Sequence, residues 1–223
     1  GKRVSELYLD PLTARHLLDC LQRFNEEKDS FSILQTISHT LEMRPLLRVR
    51  AKEQERIQEE LVKNYDKLLQ DEPSAFDLEY DEFINSIKTT LFFDAWINET
   101  NEDFLLENYD IRPGEIRVKI EIADWLLYAS SELARVSMMS NNLIKEIHKL
   151  RIRVKNGVKE ELLPLLKLKG VGRVRARKLV LNGLKDLGDL KRTDLTSLAQ
   201  ILGSKLAVDV YKQLGLEVKE IPK

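Results

Sequence analysis

Apolar residues recur every three or four positions along most of this chain, which is the spacing of amphipathic helices. Thr13 and either Asp29 or Ser30 are suitable N-caps for two helices whose apolar stripes reach Phe24 and Leu41. Further helices are predicted from Leu47 to Leu69, from Asp81 to Asn98 and from Glu102 to Asn108.

The longest predicted helix begins at Pro113-Gly114-Glu115 and runs to about Met139. A proline near the start and an acid in the first turn are helix-start signals. Its apolar residues cover most of its circumference, so we expect it at the centre of a bundle. Asn141 is predicted to cap one more helix, which ends at the Asn156-Gly157 C-cap. The pattern therefore predicts an all-α fold with a helical bundle over residues 12–156.

A short basic stretch from Leu166 to Leu179 has a different character. Its apolar residues indicate two short helices on either side of the turn Gly170-Val171-Gly172. Glycine permits a positive φ, and the free N–H groups of the helix after the turn can bind an anion. Basic side chains surround the turn, namely Lys167, Lys169, Arg173, Arg175, Arg177 and Lys178. We predict a helix-hairpin-helix that grips nucleic-acid backbone; the alternative is an ordinary helical turn with a solvated basic face.

A second copy of this pattern follows 31 residues later. The segments Gly172–Ala176 and Gly203–Ala207 share a Gly-x-x-x-Ala spacing, and each precedes an apolar helix and a Gly-Leu pair. The spacing predicts a tandem pair of hairpins over residues 157–223. Because the second copy has fewer basic residues, we expect it to be the structural partner of the first.

The net charge of −1 hides an asymmetry between the two parts of the chain. Residues 151–223 contain 17 Lys and Arg against 8 Asp and Glu, whereas the remainder contains 19 against 29. A basic end on an acidic body is typical of nucleic-acid binding. No apolar run is long enough to span a bilayer, and Cys20 lies in an apolar helical pattern. We expect a cytoplasmic, nucleoid-associated protein with a reduced, buried thiol.

Candidate catalytic chemistry is scarce in this sequence. It has no phosphate-binding loop and no acidic magnesium motif, so we expect no ATP hydrolysis by this chain alone. His16, His39 and His148 show no ligand spacing with Cys20, and we expect no metal site and no catalytic residue. Asp189, 19 residues after Gly170, leaves a DNA glycosylase as a remote alternative.

Seven segments carry a resemblance to a known family, namely Arg3–Thr13, Leu34–Arg50, Lys88-Thr89, Asp94–Glu99, Ile111–Arg117, Gly157–Pro164 and Gly170–Leu179. In this order they resemble the C-terminal part of archaeal Hjm-type helicases, which are superfamily 2 DNA repair helicases related to the helicase part of polymerase theta. The likeness covers nearly the whole chain and is more specific than any single motif.

The resemblance implies that the parent protein is an ATP-driven 3′–5′ helicase acting on forked DNA at stalled replication forks. Residues 1–11 would end a winged-helix domain, 12–156 would form a helical ratchet domain, and 157–223 would form the helix-hairpin-helix domain. Two motor domains would precede these, and ATP and Mg²⁺ would bind there, so we expect no cofactor in this chain. Its expected partners are single-stranded or forked DNA, the parent's own motor and winged-helix domains, and replication or recombination proteins.

The resemblance also implies roles for single residues. The helix from Glu115 would lie across the unwound strand, with Trp125 stacking on bases. A basic partner two turns from this tryptophan would stand at position 118, which is valine here, so Arg117 or Lys119 would supply the contact. Periodicity alone favours core packing for Trp125. The predicted DNA-binding residues are Lys169, Gly170, Gly172, Arg173, Arg175, Arg177, Lys178, Trp125 and Arg117.

A second hypothesis assigns the chain a different class of function. Tandem hairpins also serve as protein-interaction scaffolds, and here they would dock a nuclease or a clamp. DNA binding that depends steeply on salt would separate the first hypothesis from this one.

Overall fold

The computed structural model of the protein describes residues 2–218, and regular secondary structure in that range is helical throughout. The all-α prediction is confirmed. Residue 1 of the first predicted segment and residues 219–223 of the last lie outside the described residues. The chain forms two compact units, Gly1–Lys155 and Asn156–Lys223. That residues 1–11 end a winged-helix domain stays a prediction.

The helices of the first unit follow one another with short 3₁₀ turns between some of them. They are α1 (Lys2–Glu6), α2 (Pro11–Leu21), α3 (Ser30–Ser38), α4 (Gln54–Lys63), α5 (Tyr80–Ile97), α6 (Glu102–Tyr109), α7 (Pro113–Val136) and α8 (Asn141–Asn156), whose last residue belongs to the second unit. The 3₁₀ turns are Leu41–Met43, Ala51–Glu53 and Tyr65–Lys67.

Helix α7 is buried along most of its second half. From Leu126 to Ala134 every residue except Tyr128 is buried, as expected for a helix at the centre of a bundle. Its first half is more exposed, with Val118 54% accessible. The helix therefore has a core half and a surface half, and it ends at Val136, slightly before the predicted Met139.

The predicted helix from Leu47 to Leu69 is wrong at both ends. Arg50 has an extended backbone conformation, and the helix proper is limited to Gln54–Lys63. The main-chain N–H of Leu47 donates to Thr89 Oγ1 at 3.0 Å, which takes the place of a helical hydrogen bond. This tertiary contact outweighs the local helix propensity of the segment.

The predicted cap of the first bundle helix is also wrong. Asp10 is the N-cap of α2, with its side chain accepting from the Leu12 N–H and Pro11 in the first helical position. Thr13 is buried instead, and its hydroxyl donates to Glu42 Oε2 at 2.5 Å. For α3, Asp29 is the cap, as one of the two predicted alternatives stated.

The second unit is built from short helices around its own apolar core. They are α9 (Arg173–Leu181), α10 (Leu187–Arg192), α11 (Leu195–Leu202) and α12 (Ser204–Gln213), preceded by 3₁₀ turns at Glu160–Leu162 and Leu165–Lys167. The first of the two helices predicted around the glycine turn is therefore a single 3₁₀ turn. The core residues include Leu165, Ala176, Leu179, Leu198 and Ala207.

The helices of the two Gly-x-x-x-Ala copies end alike but begin with different backbone conformations, since φ is −95° at Gly172 and +85° at Gly203. Gly172 and Gly203 are the N-caps of α9 and α12. Both helices end at a positive-φ glycine, Gly183 at +83° and Gly215 at +74°. Beyond each glycine, the N–H of the next leucine bonds back to the last turn of its helix, at 3.0 Å in both cases. This is the Schellman pattern of helix termination.

Candidate nucleic-acid interface

The turn before α9 leaves the start of that helix open. Gly170 has a φ of +83°, and the N–H of Val171 closes the turn on the carbonyl of Leu168 at 3.1 Å. Gly172 makes no side-chain cap, and a Cβ built there would meet nothing within 4 Å. The first turn of α9 therefore presents its N-terminal dipole to an uncovered surface.

Two contacts hold this turn in place. The N–H of Lys169 donates to Gln213 Oε1 at 2.7 Å, and Gln213 Nε2 donates back to the Lys169 carbonyl at 3.1 Å. Arg175 Nη1 donates to the carbonyl of Gly170 at 2.8 Å. The turn is thus braced by α12 and by its own helix. Sequence reasoning missed Gln213, since nothing in the sequence links it to a residue 44 positions away.

The predicted basic residues of the turn differ in their exposure. Lys169, Arg175 and Lys178 are exposed, whereas Arg173 and Arg177 are half-buried. Arg177 Nη1 also donates to Glu161 Oε1 at 2.7 Å. Exposed cations around an uncovered helix N-terminus can accept an anionic oxygen, but the carboxylate of Glu161 competes for Arg177.

The predicted residues of α7 occupy different faces of that helix. Trp125 is half-buried, packs against the bundle core, and donates from Nε1 to the Leu7 carbonyl at 3.1 Å. Arg117 is exposed and paired with Glu121 at 3.0 Å. Eight residues of helix place Arg117 about 80° around the axis from Trp125, whereas Val118 lies within about 20° of it.

Lys119 is enclosed within the first unit. It is only 7% accessible, and its ammonium group donates to the carbonyls of Pro45 at 2.7 Å and Met43 at 3.4 Å. Burial lowers the pKa of Lys119 from its ordinary value, partly offset by the charge of Glu115. Its donors are directed at the main chain, away from any ligand on the surface of α7.

Asp189 has a structural role in the helix start of α10. Its carboxylate accepts from the Lys185 N–H at 2.8 Å and from Arg192 Nη2 at 2.6 Å. The hydrogen bond from the Lys185 N–H is the main reason why the pKa of Asp189 is lowered. These contacts occupy the carboxylate that a glycosylase would need as its reactive group.

His16 and Cys20 are in contact on helix α2. They lie one turn apart on α2, with Cys20 Sγ 3.7 Å from His16 Nδ1, and the His39 ring packs edge-on against His16. Burial raises the pKa of the Cys20 thiol to about 11 and lowers that of His16. Across residues 2–218, no three His, Cys, Asp or Glu side chains form a group able to hold a metal ion. Within the same range, no helix is long and apolar enough to cross a membrane.

Comparisons with known proteins identify the family to which this chain belongs. Residues 31–157 match the model of the archaeal helicase, domain 4, family. The ATP-dependent DNA helicase Hel308 of Pyrococcus abyssi is 35% identical over 224 residues, covering 98% of this chain and 30% of that protein. Hel308 of Methanocaldococcus jannaschii is 38% identical over 217 residues, covering 97% of this chain and 17% of that protein. The chain thus spans less than a third of the length of these relatives.

These likenesses define the class of protein as the C-terminal region of an archaeal superfamily 2 helicase. The chain belongs to the family of archaeal helicases that the domain 4 model describes. The resemblance drawn from the sequence is thereby confirmed.

Proposed function

We propose that this chain is the DNA-engaging accessory region of an ATP-dependent 3′–5′ helicase that acts on forked DNA at stalled replication forks. Its second unit, a tandem helix-hairpin-helix domain, binds the sugar-phosphate backbone of the unwound strand. ATP and Mg²⁺ bind in the motor domains of the parent protein and not in this chain. The names of the relatives, which are DNA helicases, support this reading.

The observation that carries the proposal is the uncovered N-terminus of α9 at Gly172. Backbone N–H groups at a helix start bind phosphate oxygens, and the absence of a Cβ at Gly172 lets a strand approach closely. Lys169 is exposed beside this terminus and adds charge, whereas Lys178 is exposed in the last turn of α9. Arg175 reaches the Gly170 carbonyl and remains exposed, so it can both brace the turn and contact a phosphate.

Helix α7 supplies the second contact in this proposal. The ring of Trp125 is held at its N–H edge by the Leu7 carbonyl and is half-buried, so the part that remains accessible can stack on a base. Of the two basic candidates near it, Arg117 is exposed and Lys119 is buried, so we assign the phosphate contact on this helix to Arg117.

The experiment that tests the hairpin is fluorescence anisotropy with a labelled single-stranded oligonucleotide over a salt series. The Arg175→Ala, Arg177→Ala double variant is expected to lose most of the affinity and to show a shallower salt dependence. The matched control, Lys191→Ala with Lys212→Ala, removes the same charge from exposed positions elsewhere in the second unit. Equal losses in both variants would mean that net charge alone drives binding, and the hairpin assignment would fail.

A second candidate function rests on two exposed apolar side chains of α9. Val174 is 68% and Leu181 76% accessible, and their spacing of seven residues puts them on one face. Such a face suits a protein-interaction scaffold that docks a nuclease or a clamp. A Val174→Ala, Leu181→Ala variant that keeps its DNA affinity but loses a purified partner would favour this second function.

A further inference from the structure

The loop that leads into α5 carries two large apolar side chains that are almost completely exposed to solvent. We call residues 70–79, which end directly before α5, the acidic loop. Phe76 is 97% accessible, and Leu78 is fully accessible. A single exposed apolar residue is ordinary, but two large ones that lie two positions apart form an apolar patch. Such a patch indicates a contact with another molecule.

Hydrogen bonds within the acidic loop fix the turn that displays this pair. The Ser74 N–H donates to Asp77 Oδ2 at 2.9 Å, and the Asp77 N–H donates to the Ser74 carbonyl at 2.8 Å. The Phe76 N–H donates to Ser74 Oγ at 3.3 Å, and the Tyr80 N–H donates to the Asp77 carbonyl at 3.1 Å. Because the turn is already formed, little backbone entropy is lost when a partner binds to it.

Side chains at both ends of the acidic loop tie it to the first unit. Asp71 pairs with Arg23 at 3.2 Å, next to the end of α2. The Tyr80 hydroxyl accepts from Gln58 Nε2 at 2.9 Å and donates to Glu72 Oε1 at 3.5 Å. The loop is therefore anchored at its ends, and its middle carries the exposed apolar pair.

The charge around this pair is entirely negative. Residues 68–87 contain no Lys, Arg or His but six acids, namely Asp71, Glu72, Asp77, Glu79, Asp81 and Glu82. Asp71 is paired with Arg23, and Glu82 is paired with Arg44. Within the described part of the chain, no cationic side chain pairs with the other four. Four carboxylates without a counter-charge thus accompany the apolar pair.

An open groove of about 750 Å³ lies beside Leu78. Pro45 and Leu46 also line it and add apolar surface. The charged residues of its lining are balanced, with two arginines and two acids, so the negative excess belongs to the acidic loop and not to the groove. An apolar side chain of a partner can enter the groove next to Leu78 while cations of the same partner meet the loop.

The charges decide which class of molecule fits this surface. Phosphates of nucleic acid and anionic lipid headgroups have the same sign as the acidic loop, which repels them. A second copy of the chain in a symmetric dimer would bring the same acids against each other. A protein surface that is apolar at its centre and edged by Lys or Arg complements both the exposed pair and the carboxylates.

We propose that the acidic loop is a docking site for a protein partner that presents an apolar surface edged by Lys and Arg. Phe76 and Leu78 are the apolar anchors of this contact. The four carboxylates that lack a counter-charge bind the cations of the partner. None of these residues belongs to the DNA contacts proposed above, so this docking function goes beyond them and does not depend on them.

The first test measures binding of a defined probe, a short labelled amphipathic helix made of leucine and lysine, by fluorescence anisotropy. The Phe76→Ser, Leu78→Ser variant is expected to bind it about tenfold more weakly than the unaltered chain. The matched control is Tyr8→Ser, Met138→Ser, which removes two highly exposed apolar side chains outside the loop. Circular dichroism checks that both variants fold. Equal affinities for the two variants, or no binding of the probe to the unaltered chain, would overturn the proposal.

The second test concerns the carboxylates. Glu79→Gln with Asp81→Asn is expected to weaken probe binding about threefold at low salt and less at higher salt. The matched control, Glu102→Gln with Asp103→Asn, neutralises two exposed acids at the start of α6. An equal loss in the control would mean that total charge attracts the probe, and the loop assignment would fail. It would also fail if a probe with glutamine in place of leucine bound as tightly.

Thiol labelling tests whether the acidic loop is open in the parent helicase. Phe76→Cys is introduced into this chain and into a parent whose other accessible cysteines are replaced. The native Cys20 is buried, so maleimide reacts with the introduced thiol. Equal labelling rates in the two proteins are expected. Clear protection in the parent would show that its own domains cover the loop, and would overturn the proposal of a separate partner.

The docking proposal and the DNA-binding proposal fail separately. The Arg175→Ala, Arg177→Ala variant is expected to lose single-strand affinity and to keep its affinity for the leucine-lysine probe. The Phe76→Ser, Leu78→Ser variant is expected to behave in the opposite way, and a loss of DNA binding in it would contradict a protein docking site. Sedimentation velocity is expected to show a monomer. A dimer that the Phe76→Ser, Leu78→Ser variant abolishes would make a second copy the occupant and overturn the proposal.

Discussion

Trp125 Nε1 donates a hydrogen bond to the carbonyl oxygen of Leu7 at 3.1 Å. The bond joins helix α7 to the residues just after α1, so the orientation of the indole depends on a segment 118 positions earlier in the chain. Core packing and stacking were competing interpretations of this residue. The half-buried indole is compatible with both interpretations. Its N–H edge is fixed by the Leu7 carbonyl, and the accessible part of the ring can stack on a base.

Separate substitutions at Trp125 distinguish its structural role from its stacking role. Trp125→Phe removes the N–H but keeps an aromatic face, and we expect a loss of about 1 kcal/mol in unfolding free energy with little change in single-strand affinity. Trp125→Leu keeps an apolar but smaller side chain and removes the aromatic face, and we expect binding to weaken by about 1–3 kcal/mol. Urea unfolding followed by circular dichroism and anisotropy titrations measure the two quantities. If the leucine variant is folded and binds normally, Trp125 is a core residue only.

The two glycines of the hairpin turn are expected to respond differently to alanine. Gly170 has a φ of +83°, and a Cβ there would approach Leu206 Cδ1 to 2.8 Å. Gly170→Ala should therefore lower the unfolding free energy by about 1–2 kcal/mol. Gly172 has a φ of −95° and open space, so Gly172→Ala should be nearly neutral for stability.

The same pair tests how DNA approaches α9. A methyl group at Gly172 would lie at the uncovered helix start, so Gly172→Ala should weaken single-strand binding without loss of stability. Thermal unfolding and anisotropy on both variants check this separation. A Gly172→Ala variant with unchanged affinity would show that the strand does not approach this backbone closely.

How far the sequence predicts this structure depends on which interaction fixes each element. The long helices were predictable because their apolar periodicity is local, and the Gly-Leu terminators of α9 and α12 were predictable because glycine carries the positive φ itself. The non-helical segment of residues 44–50 was not, because the N–H groups of Leu47 and Val49 are satisfied by Thr89 and Asn85, which are distant in sequence. Hydrophobic pattern carries no information about such side-chain acceptors.

The candidate site likewise combines features that the sequence predicts with features that depend on tertiary contacts. The basic residues around Gly172 could be identified from composition and spacing, because they are contiguous. The pairing of Arg177 with Glu161 depends on tertiary contacts, as does the burial of Lys119 against the main chain of Pro45. Lysines are normally predicted to lie on the surface, but Lys88 and Lys119 are both buried.

Glu161 is expected to compete with DNA for Arg177. Glu161→Gln removes the carboxylate that accepts from Arg177 Nη1 at 2.7 Å and also reduces the negative charge near the turn. We expect single-strand affinity at low salt to rise by about 0.2–1 kcal/mol, the usual range for an exposed ion pair. Anisotropy at two salt concentrations measures the gain, which should shrink at the higher one. A loss of affinity would mean that Glu161 positions Arg177 for binding.

The ion pair of Glu53 and Lys88 predicts a specific dependence of stability on pH. Desolvation alone would raise the pKa of Glu53, but hydrogen bonds from Lys88 and from the Arg50 N–H, with nearby positive charge, lower it below its ordinary 4.5. A carboxyl group with a lowered folded pKa stabilises the protein above its unfolded pKa, and that contribution is lost as pH falls through the folded value. Glu53→Gln should therefore be clearly less stable than the unaltered protein at pH 7. Urea unfolding between about pH 7 and 3 should show this gap closing below about pH 4.5.

The control for this effect is Glu121→Gln, which removes an exposed carboxylate paired with Arg117. Exposed helical pairs contribute about 0.3–0.5 kcal/mol, so this variant should differ little from the unaltered protein at any pH. The Glu53 variant leaves the ammonium of Lys88 buried without its counter-charge, which costs more than losing a surface pair. A pH-independent gap for Glu53→Gln would mean that its carboxylate is not the ionised partner of Lys88 in the folded protein.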